Sequence, residues 1–337
     1  MSAATATPEP VFTLREWSRI VTGTLDRSYQ SSRLGADVTE YLAWKRLSRA
    51  SARTLDQYER DLARLCVAVP KPFEDVSHLD LMLVLNLFPE GSWKRVRAAW
   101  GDFFKWGRSN GRRPDNPLDR LPKLRPQPEP VYDLWSQNEL DLLVSGTRRM
   151  ENPLRERLRV LTMIETGARA GELRGLTLGD FDLYRKTITV LGKGRKQRLI
   201  PISAELVATV DEYLLTAYPI LERQPVGADF VWYAVYRVGE RVIAIKPERT
   251  LSYRGFYEWW RRVETAAGVR HRKPHMTRHT FATDVLDATE GDLYAVKELL
   301  GHSSTRVTEV YLHSSRQRTG KAIVALGKYR KRQTEDT

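Results

Sequence analysis

Six side chains in the second half of the sequence are of the kinds that phosphodiester chemistry uses. They are two arginines, a lysine, two histidines and a tyrosine: Arg169, Arg278, Lys193, His275, His302 and Tyr311. Breaking a phosphodiester without water requires a nucleophile, positive charge at the non-bridging oxygens and a proton for the leaving oxygen. The set contains a candidate for each requirement, so the question is whether its members belong to one site.

Arg169 follows a glycine that interrupts a helical pattern, in the segment Thr166-Gly167-Ala168-Arg169-Ala170-Gly171-Glu172-Leu173. Glu172 lies three residues after the arginine, a spacing at which a carboxylate can hold a guanidinium on the same helix face. By itself such a pair is more often a surface ion pair. The segment therefore indicates a site only together with the other motifs.

Lys193 lies between two glycines at the tip of a predicted β-hairpin. Strand patterns from Thr187 to Leu191 and from Arg198 to Ile202 flank this basic tip. An ammonium on such a loop can reach into a site, although basic hairpin tips are commonly solvated or bind phosphate.

His275 and Arg278 share one face at a predicted helix start after Pro274. A histidine and an arginine three residues apart near a helix N-terminus can engage an anion together, although lone histidines are as often structural. A second histidine, His279, directly follows them.

Tyr311 lies nine positions after His302. Gly301 ends a predicted helix just before this histidine, and Ser303 or Ser304 is expected to start the next one. Tyr311 is one of 14 tyrosines, and taken alone it would be assigned to core packing.

The elements that must position these residues form the second of two predicted domains. Ser136 and Glu139 make a capping-box pattern, so this domain is expected to begin near Trp135. Helical patterns dominate after the hairpin to about Leu326, including residues 258–267, 278–286 and 295–300. The domain is therefore predicted to be mostly helical with a small sheet.

The first domain is predicted to be a small helical bundle, because apolar residues between Gly35 and Pro114 recur at three- and four-residue spacing. Ser92 is a candidate cap for a helix through about Arg108, whose aromatic residues are expected in the core. Basic residues on this helix and in the second domain are predicted DNA contacts: Lys94, Arg95, Arg97, Lys105, Arg195, Lys196, Arg272 and Lys273.

The segment between the two domains contains six prolines between Arg112 and Tyr132, too many for any regular element. At about 3.3–3.6 Å per extended residue, a linker of this length can pass from one side of a roughly 20 Å duplex to the other. The chain before the bundle is expected to be a flexible leader with a short helix from Leu14 to about Leu25.

The net charge indicates the kind of partner. Fifty-five lysines and arginines against 42 acidic residues give a formal charge of +13. This charge favours a protein that binds a polyanion such as nucleic acid over one that is merely soluble and basic.

Cys66 is the only cysteine, so the chain can form neither an intrachain disulfide nor a thiolate metal cluster, and Cys66 is expected to pack as a small apolar residue. The sequence contains neither an apolar run of about 18 residues nor a signal peptide. We expect a soluble cytoplasmic protein associated with the nucleoid, with no membrane partner.

Together, the motifs resemble those of the tyrosine recombinase and phage integrase family: an arginine box, a lysine hairpin, H-x-x-R and G-H…Y. Arg169 to Lys193 is 24 positions, and the order and intervals match the family from roughly Tyr41 to Ser315. Two features depart from its pattern, since Thr277 stands where leucine is usual and the turn at Ala288–Asp292 is about one residue longer.

The resemblance implies a mainly α fold with a small β-sheet, in which a SAM-like helical bundle and an α+β catalytic domain form a C-shaped clamp on DNA. It divides the chain into a flexible leader (1–34), a helical core DNA-binding domain (35–113), a proline-rich linker (114–132), a catalytic domain (133–327) and a basic, polar tail (328–337). The short leader favours an Xer-like architecture, either a two-domain integrase or an Xer-type resolvase.

The resemblance also implies the mechanism. Arg169 and Arg278 would grip the scissile phosphate, and Tyr311 would attack it to give a 3′-phosphotyrosine and a free 5′-hydroxyl. His275 would serve as the base, Lys193 as the acid, and His302 as a hydrogen-bond donor to the phosphate. Glu172 and His279 would support the site without touching the substrate. The family needs no metal, ATP or other cofactor, and it exchanges strands through a Holliday junction.

The implied partners are a double-stranded recombination site and three further copies of the chain on DNA, with a monomer or dimer free in solution. The segment Gly320–Leu326 would dock on a neighbouring subunit. An accessory directionality factor stays open, as does the choice between integration, excision and dimer resolution. Two alternatives are a type IB topoisomerase, which works as a monomer, and a DNA-binding protein that has lost its catalytic site.

Overall fold

The structure, a computed structural model, describes most of the chain in two units. The described residues are 27–125, 132–192, 196–221, 223–238, 241–302, Ser304, Thr308 and Tyr311. The contacts divide the chain into residues 1–127 and 128–337. The predicted leader helix, the hairpin residues Lys193 and Arg195, the candidate helix start Ser303 and the segment from residue 312 onwards lie outside the described residues.

Within residues 27–125 the first unit is a bundle of four α-helices. These are α1 (Arg33–Leu47), α2 (Ala52–Ala68), α3 (His78–Leu85) and α4 (Trp93–Ser109). Short 3₁₀ turns lie before and between them and after the last one: Arg27–Ser31, Phe73–Asp75, Glu90–Ser92 and Pro117–Arg120.

Serine caps set three of the four helix starts. The side chains of Ser32, Ser51 and Ser77 accept hydrogen bonds from backbone N–H groups in the first turns of α1, α2 and α3. Ser92 precedes α4 as predicted, but its hydroxyl donates to the Pro89 carbonyl and caps nothing. The prediction of a Ser92 cap was wrong because the 3₁₀ turn before α4 uses that hydroxyl.

The core of the bundle is aromatic. Trp100, Phe103 and Phe104 of α4 are fully buried, which confirms that the aromatic face of this helix packs inward. Trp100 also donates its indole N–H to the Asp61 carbonyl at 3.1 Å, so its polar atom is satisfied. Cys66 is buried as predicted, and burial raises the pKa of its thiol to about 12.

Both ends of the bundle extend further than the sequence pattern predicts. Tyr29 is buried before the expected start at residue 35, with its hydroxyl 2.9 Å from Glu59. The predicted linker contains the 3₁₀ turn Pro117–Arg120, which Asn116 caps and whose Leu118 is buried. Proline is compatible with the first position of such a turn, so the expectation of no regular element in this segment was wrong.

The second unit contains the remaining described elements. Its helices are α5 (Gln137–Gly146), α6 (Pro153–Thr166), α7 (Ala170–Gly175), α8 (Ala204–Leu221), α9 (Tyr253–Ala267), α10 (His275–Ala288) and α11 (Leu293–Leu300), with 3₁₀ turns at Thr147–Arg149 and Leu178–Asp180. Its strands are β1 (Phe181–Asp182), β2 (Thr187–Leu191), β3 (Gln197–Pro201), β4 (Tyr233–Val238) and β5 (Arg241–Thr250). The mainly helical class is confirmed.

The strands form two antiparallel sheets. The order β1-β2-β3 contains the predicted hairpin, with Leu191 paired to Gln197 next to the tip. Helical patterns dominate after the hairpin as predicted, but the second sheet, β4-β5, was not predicted. Its strands escape prediction because register shifts interrupt their pairing and because β5 contains Pro247 and several charged residues, which hide the period-two alternation.

Two left-handed glycines end the helices that flank the candidate site. Gly167 (φ 53°) ends α6 just before Arg169, and Gly301 (φ 64°) ends α11 just before His302. The capping box of Ser136 and Glu139 starts α5 as predicted. Among the described helices, none has the length and apolar character needed to cross a membrane.

Candidate active site

Arg278, in the first turn of α10, lies at the centre of the site and is only 1% exposed. Its Nη1 donates to the Gly167 carbonyl at 2.8 Å, and its Nη2 donates to the Leu300 carbonyl at 2.9 Å and to Nε2 of His302 at 2.8 Å. Burial and the charge of Arg169 lower its pKa to about 10, so it stays charged at neutral pH. Among the described residues these three contacts engage three of the five guanidinium N–H groups of Arg278.

The hydrogen bonds of His302 define its tautomer. An arginine cannot accept a hydrogen bond, so Nε2 of His302 accepts from Arg278, and Nδ1 carries the proton and donates to Oγ1 of Thr308 at 2.9 Å. Burial and then the charge of Arg278 lower the pKa of His302 to about 4, which keeps the ring neutral. Both ring nitrogens of His302 are thus engaged within the described residues, and its donation to a phosphate stays a prediction.

Arg169 lies at the N-terminus of α7 and contacts Glu172 as predicted. Its backbone N–H donates to Oε2 of Glu172 at 2.9 Å, and its Nη1 donates to Oε1 at the same distance. Arg198, on β3, adds a third contact from Nη2 to Oε2 at 2.8 Å. Burial, the strongest influence, would raise the pKa of Glu172, but the hydrogen bonds from Arg198 and Arg169 hold it below its usual range.

Tyr311 is 4% exposed and lies beside two histidine rings. Its ring is parallel to that of His302 within 7° at 6.2 Å between centroids, and it lies 5.4 Å from the ring of His279. His279 in turn stacks on Tyr132 at 3.9 Å. Burial raises the pKa of Tyr311 against the opposing charge of Arg278, so its phenol is protonated at neutral pH.

His275 begins α10, one turn before Arg278. Loss of hydration and then the charges of Arg278 and Arg169 lower its pKa, so the imidazole is neutral near pH 7 and able to accept a proton. Thr277 is buried, and its hydroxyl donates to the Pro274 carbonyl at 2.8 Å. The threonine therefore closes the first turn of the helix that holds both residues.

The structure brings five of the six predicted catalytic residues into one network of bonds, ring contacts and charges, while Lys193 lies outside the described residues. Of the predicted DNA contacts, Arg272 is a correction: it is buried, with Nη1 2.8 Å from Oε1 of Glu139 and its guanidinium 4.2 Å from the Trp135 ring. The positive charge of Arg272 is therefore paired with Glu139 inside the second unit.

Two arginines of the bundle also have internal partners. Arg95 pairs with the fully buried Asp61, and Nη1 of Arg97 donates to the Pro122 carbonyl at 2.6 Å. The remaining described basic candidates are exposed: Lys94, Lys105, Lys196 and Lys273. Arg195 lies outside the described residues.

Sequence reasoning missed three contributors to the site: Tyr132, Arg198 and Thr308. Arg198 reads as an ordinary strand residue, and its partners Glu172 and Leu299 are 26 and 101 positions away. Thr308, between His302 and Tyr311, is fully buried, and its role could have been sought at that spacing. No local signal marks Tyr132, which follows the proline-rich segment.

The arrangement concentrates fixed positive charge, two neutral histidines and a buried phenol around one point. Arg169 and Arg278 suit the non-bridging oxygens of a phosphate, and the phenol is a nucleophile once deprotonated. Such a site can exchange one phosphodiester for another.

Comparison with known proteins agrees with this chemistry. Residues 135–318 match the model of the phage integrase family. A tyrosine recombinase XerC of Xanthomonas campestris pv. campestris is 30% identical over 313 residues, covering 86% of this chain and 89% of the relative. A tyrosine recombinase XerD of Neisseria meningitidis serogroup B is 30% identical over 272 residues, covering 79% and 88%.

Solved recombinase structures share the fold. The XerH recombinase bound to a palindromic difH substrate in a post-cleavage complex aligns with a TM-score of 0.62 at 19% identity, over 92% of this chain and 94% of that one. A lambda integrase tetramer bound to a Holliday junction aligns with a TM-score of 0.60 at 18% identity, over 90% and 83%. Fold and site thus define a tyrosine-type site-specific recombinase. The chain belongs to the phage integrase family.

Proposed function

We propose that the chain cleaves and rejoins the strands of a specific DNA site through a 3′-phosphotyrosine on Tyr311, and exchanges strands through a Holliday junction. The observation that carries the proposal is the position of Tyr311, which is buried beside His302, the hydrogen-bond partner of Arg278. A tyrosine placed only for core packing has no need of a buried arginine and a neutral histidine next to its ring.

In this proposal Arg169 and Arg278 bind the two non-bridging oxygens of the scissile phosphate. Charge grows on these oxygens in the pentavalent transition state, and donors that are already oriented stabilise it without reorganisation. The carbonyls of Gly167 and Leu300 hold the Arg278 guanidinium in place before any DNA arrives. Glu172 does the same for Arg169.

The proton transfers follow from the protonation states. Neutral His275 accepts the phenol proton as the Tyr311 oxygen bonds to phosphorus and the bond from phosphorus to the 5′-oxygen breaks. Lys193 is the proposed acid for the leaving oxygen. Rejoining is the reverse reaction, because the phosphotyrosine retains the phosphodiester and the 5′-hydroxyl can attack it without ATP or a metal ion.

His279 is proposed as a positioning residue. Its ring, 7% exposed, stacks on Tyr132 and lies 5.4 Å from the ring of Tyr311, and burial lowers its pKa to about 4, which keeps it neutral. An uncharged ring can pack against the phenol without fixing a positive charge on the side away from the phosphate.

The proposed partner is a double-stranded recombination site, on which four copies of the chain assemble because four strands must be exchanged. The similarity to the lambda integrase tetramer on a Holliday junction supports this assembly. The domains proposed from the sequence keep their roles, with residues 35–113 contacting DNA and residues 133–327 carrying the chemistry. Docking of residues 320–326 on a neighbour, a directionality factor and a nucleoid location belong to the same proposal.

A trapping experiment tests the nucleophile. The full chain is incubated with a pool of randomised duplexes that carry a nick near the centre, so the short strand released by cleavage diffuses away and rejoining is blocked. We expect adducts that survive denaturation, and sequencing their DNA identifies the site. Tyr311→Phe should give no adduct, because phenylalanine has no oxygen to bond to phosphorus.

Tyr213→Phe is the matched control, since Tyr213 is equally buried in the same unit but is not in the site. It should give adducts at the wild-type yield. Equal yields from wild type and Tyr311→Phe would overturn the proposal. Relaxation of supercoiled plasmid without exchange between two sites would favour the topoisomerase alternative.

A further inference from the structure

Arg198 connects two parts of the site that are distant in sequence. Its Nη2 donates to Oε2 of Glu172 at 2.8 Å, and its Nε donates to the Leu299 carbonyl at 2.8 Å. The side chain is only 11% exposed. One planar guanidinium thus joins the carboxylate that holds Arg169 to the last turn of α11.

Two arginines bind the carbonyls of two successive residues at the end of α11. Arg198 binds the Leu299 carbonyl, and Arg278 binds the Leu300 carbonyl next to it. A Cβ at Gly301 would lie 3.1 Å from Cδ of Arg198, so the arginine packs directly against this glycine. His302 follows at once, and its position therefore depends on both guanidinium groups.

The charge of Arg198 is as important as its hydrogen bonds. Glu172 has a side chain that is 7% exposed, and its negative charge lies beside the place proposed for a phosphate. Arg169 alone cannot both neutralise this carboxylate and bind the phosphate, because a buried carboxylate without a second partner would compete with the phosphate for the same guanidinium. Arg198 supplies the second positive charge.

We propose that Arg198 is a positioning residue for strand cleavage, which neutralises Glu172 and ties it to the end of α11 so that Arg169 and His302 are held ready for the phosphate. This inference rests on the proposed function. Lysine cannot replace Arg198, since a single ammonium lacks the fork that reaches a carboxylate and a carbonyl in different directions.

A double-mutant cycle tests the inference. The rate of single-turnover cleavage of the nicked duplex identified by trapping is measured for Arg198→Met, Glu172→Gln and the combined variant. We expect Arg198→Met to slow cleavage roughly 100-fold, because small misplacements of catalytic groups have effects of this size. Glu172→Gln should slow it by less than about 10-fold, and the combined variant should cleave faster than Arg198→Met, since the uncompensated carboxylate is gone. Arg198→Lys should recover only part of the rate.

A purely structural role makes a different prediction. If Arg198 only fastened β3 to α11, the combined variant would be slower than either single variant, and that result would overturn the inference. Arg174→Met is the matched control, because Nε of Arg174 likewise donates to a carbonyl, Leu251 at 2.6 Å, without touching Glu172. It should cleave at the wild-type rate. Arg198→Met that cleaves as fast as Arg174→Met would also contradict the inference.

Tungstate binding by calorimetry separates this inference from the proposed function, because it needs no DNA. Wild type and Arg174→Met should bind tungstate, and Arg169→Met should bind it at least about 10-fold more weakly, because a charged, two-pronged contact to the oxyanion is lost. Equal binding by wild type and Arg169→Met would contradict the proposed phosphate site itself. If Arg169→Met weakens tungstate binding but Arg198→Met does not, the positioning role of Arg198 is wrong and the proposed phosphate site stands.

Discussion

The two units bury different kinds of side chain. The bundle fills its core with aromatic rings such as Trp100 and Phe103, and among its described residues Asp61 and Arg113 are the charged groups that are buried. The second unit buries many ionisable groups: Arg155, Glu156, Arg159, Glu264, Arg272, Arg278, His279 and His302. A bundle whose proposed DNA contacts lie on its surface can rely mainly on apolar packing inside, whereas a unit proposed to act on a phosphate must hold charges in fixed places.

Burying charges is costly unless each is paired, and the second unit does this in separate clusters. One cluster has no contact with the candidate site: Nε of Arg155 lies 2.7 Å from Oε1 of Glu156, and Nη1 of Arg159 lies 3.5 Å from Oε2. Trp259 donates to the same carboxylate at 2.5 Å. The unit therefore depends on ion pairs for stability as well as for chemistry.

Glu156→Gln should have the largest effect on stability, and it tests whether the second unit depends on buried charge pairs more than the bundle does. Removing the carboxylate leaves Arg155 and Arg159 buried without compensation, because both face Glu156. We expect the free energy of unfolding of the second unit to fall by roughly 3–5 kcal/mol. Hydrogen exchange read by mass spectrometry measures this unit by unit, and exchange in residues 27–125 should be unchanged.

Glu205→Gln is the matched control. It removes the partner of Arg157 at 2.5 Å, where the glutamate side chain is 54% exposed. A surface pair of this kind contributes about 0–1 kcal/mol. The contrast between the units would fail if Glu156→Gln destabilised the protein no more than Glu205→Gln does.

The sequence points to the candidate catalytic residues more readily than to the residues around them. Arg278, His302 and Tyr311 were singled out because the combined motifs resemble those of the phage integrase family. Arg198 could not be found in this way, since its role depends on contacts with Glu172 and Leu299 that only the fold creates.

The fold shows the same division. The bundle helices and the hairpin of β2 and β3 follow from apolar periodicity, and the predicted cap at Ser136 is present. The β4-β5 sheet was missed because irregular pairing removes its alternation. Arg272 was misjudged as a DNA contact because one sequence cannot show that Trp135 and Glu139 lie beside it.

The pH dependence of stability offers a second way to break the comparison. The pKa values of His279 and His302 are both lowered to about 4 by burial, against an ordinary value of 6.5. The unfolded chain therefore binds protons that the folded unit rejects between pH 6.5 and pH 4. The second unit should lose stability as pH falls through this window, by at most about 1.4 kcal/mol per pH unit for each histidine.

Urea unfolding at several pH values, followed unit by unit through hydrogen exchange, checks this sign. Carboxylates also titrate in part of the window, so the comparison with His279→Gln isolates the histidine. The variant should show a shallower slope than wild type in the second unit and an unchanged slope in the bundle, where His78 is the histidine present. Parallel slopes for the two proteins would show that His279 is protonated equally in the folded and unfolded states.

The smallest expected effects concern the surface of the bundle, where the lysines and arginines of α4 differ in their exposure and in their partners. Lys94 and Lys105 are exposed, while Arg95 is paired with the buried Asp61. If exposed lysines contact DNA phosphates, Lys94→Gln and Lys105→Gln should each reduce the slope of log affinity against log salt by about 0.9 for a non-specific duplex. Fluorescence anisotropy across a salt series measures this slope.

Arg95→Gln is the informative counterpart on the same helix. Its charge already compensates Asp61, so its loss should change the salt slope by less than about 0.3, a minor fraction of the full contact expected for each lysine. It should instead destabilise the bundle, because Asp61 is fully buried and loses a charged partner. The opposite result, a full loss of slope with unchanged stability, would mean that Arg95 leaves Asp61 to bind DNA. The bundle would then use a buried acid to hold a DNA contact in place, as the second unit does with Glu172, and the division between the units would be one of degree.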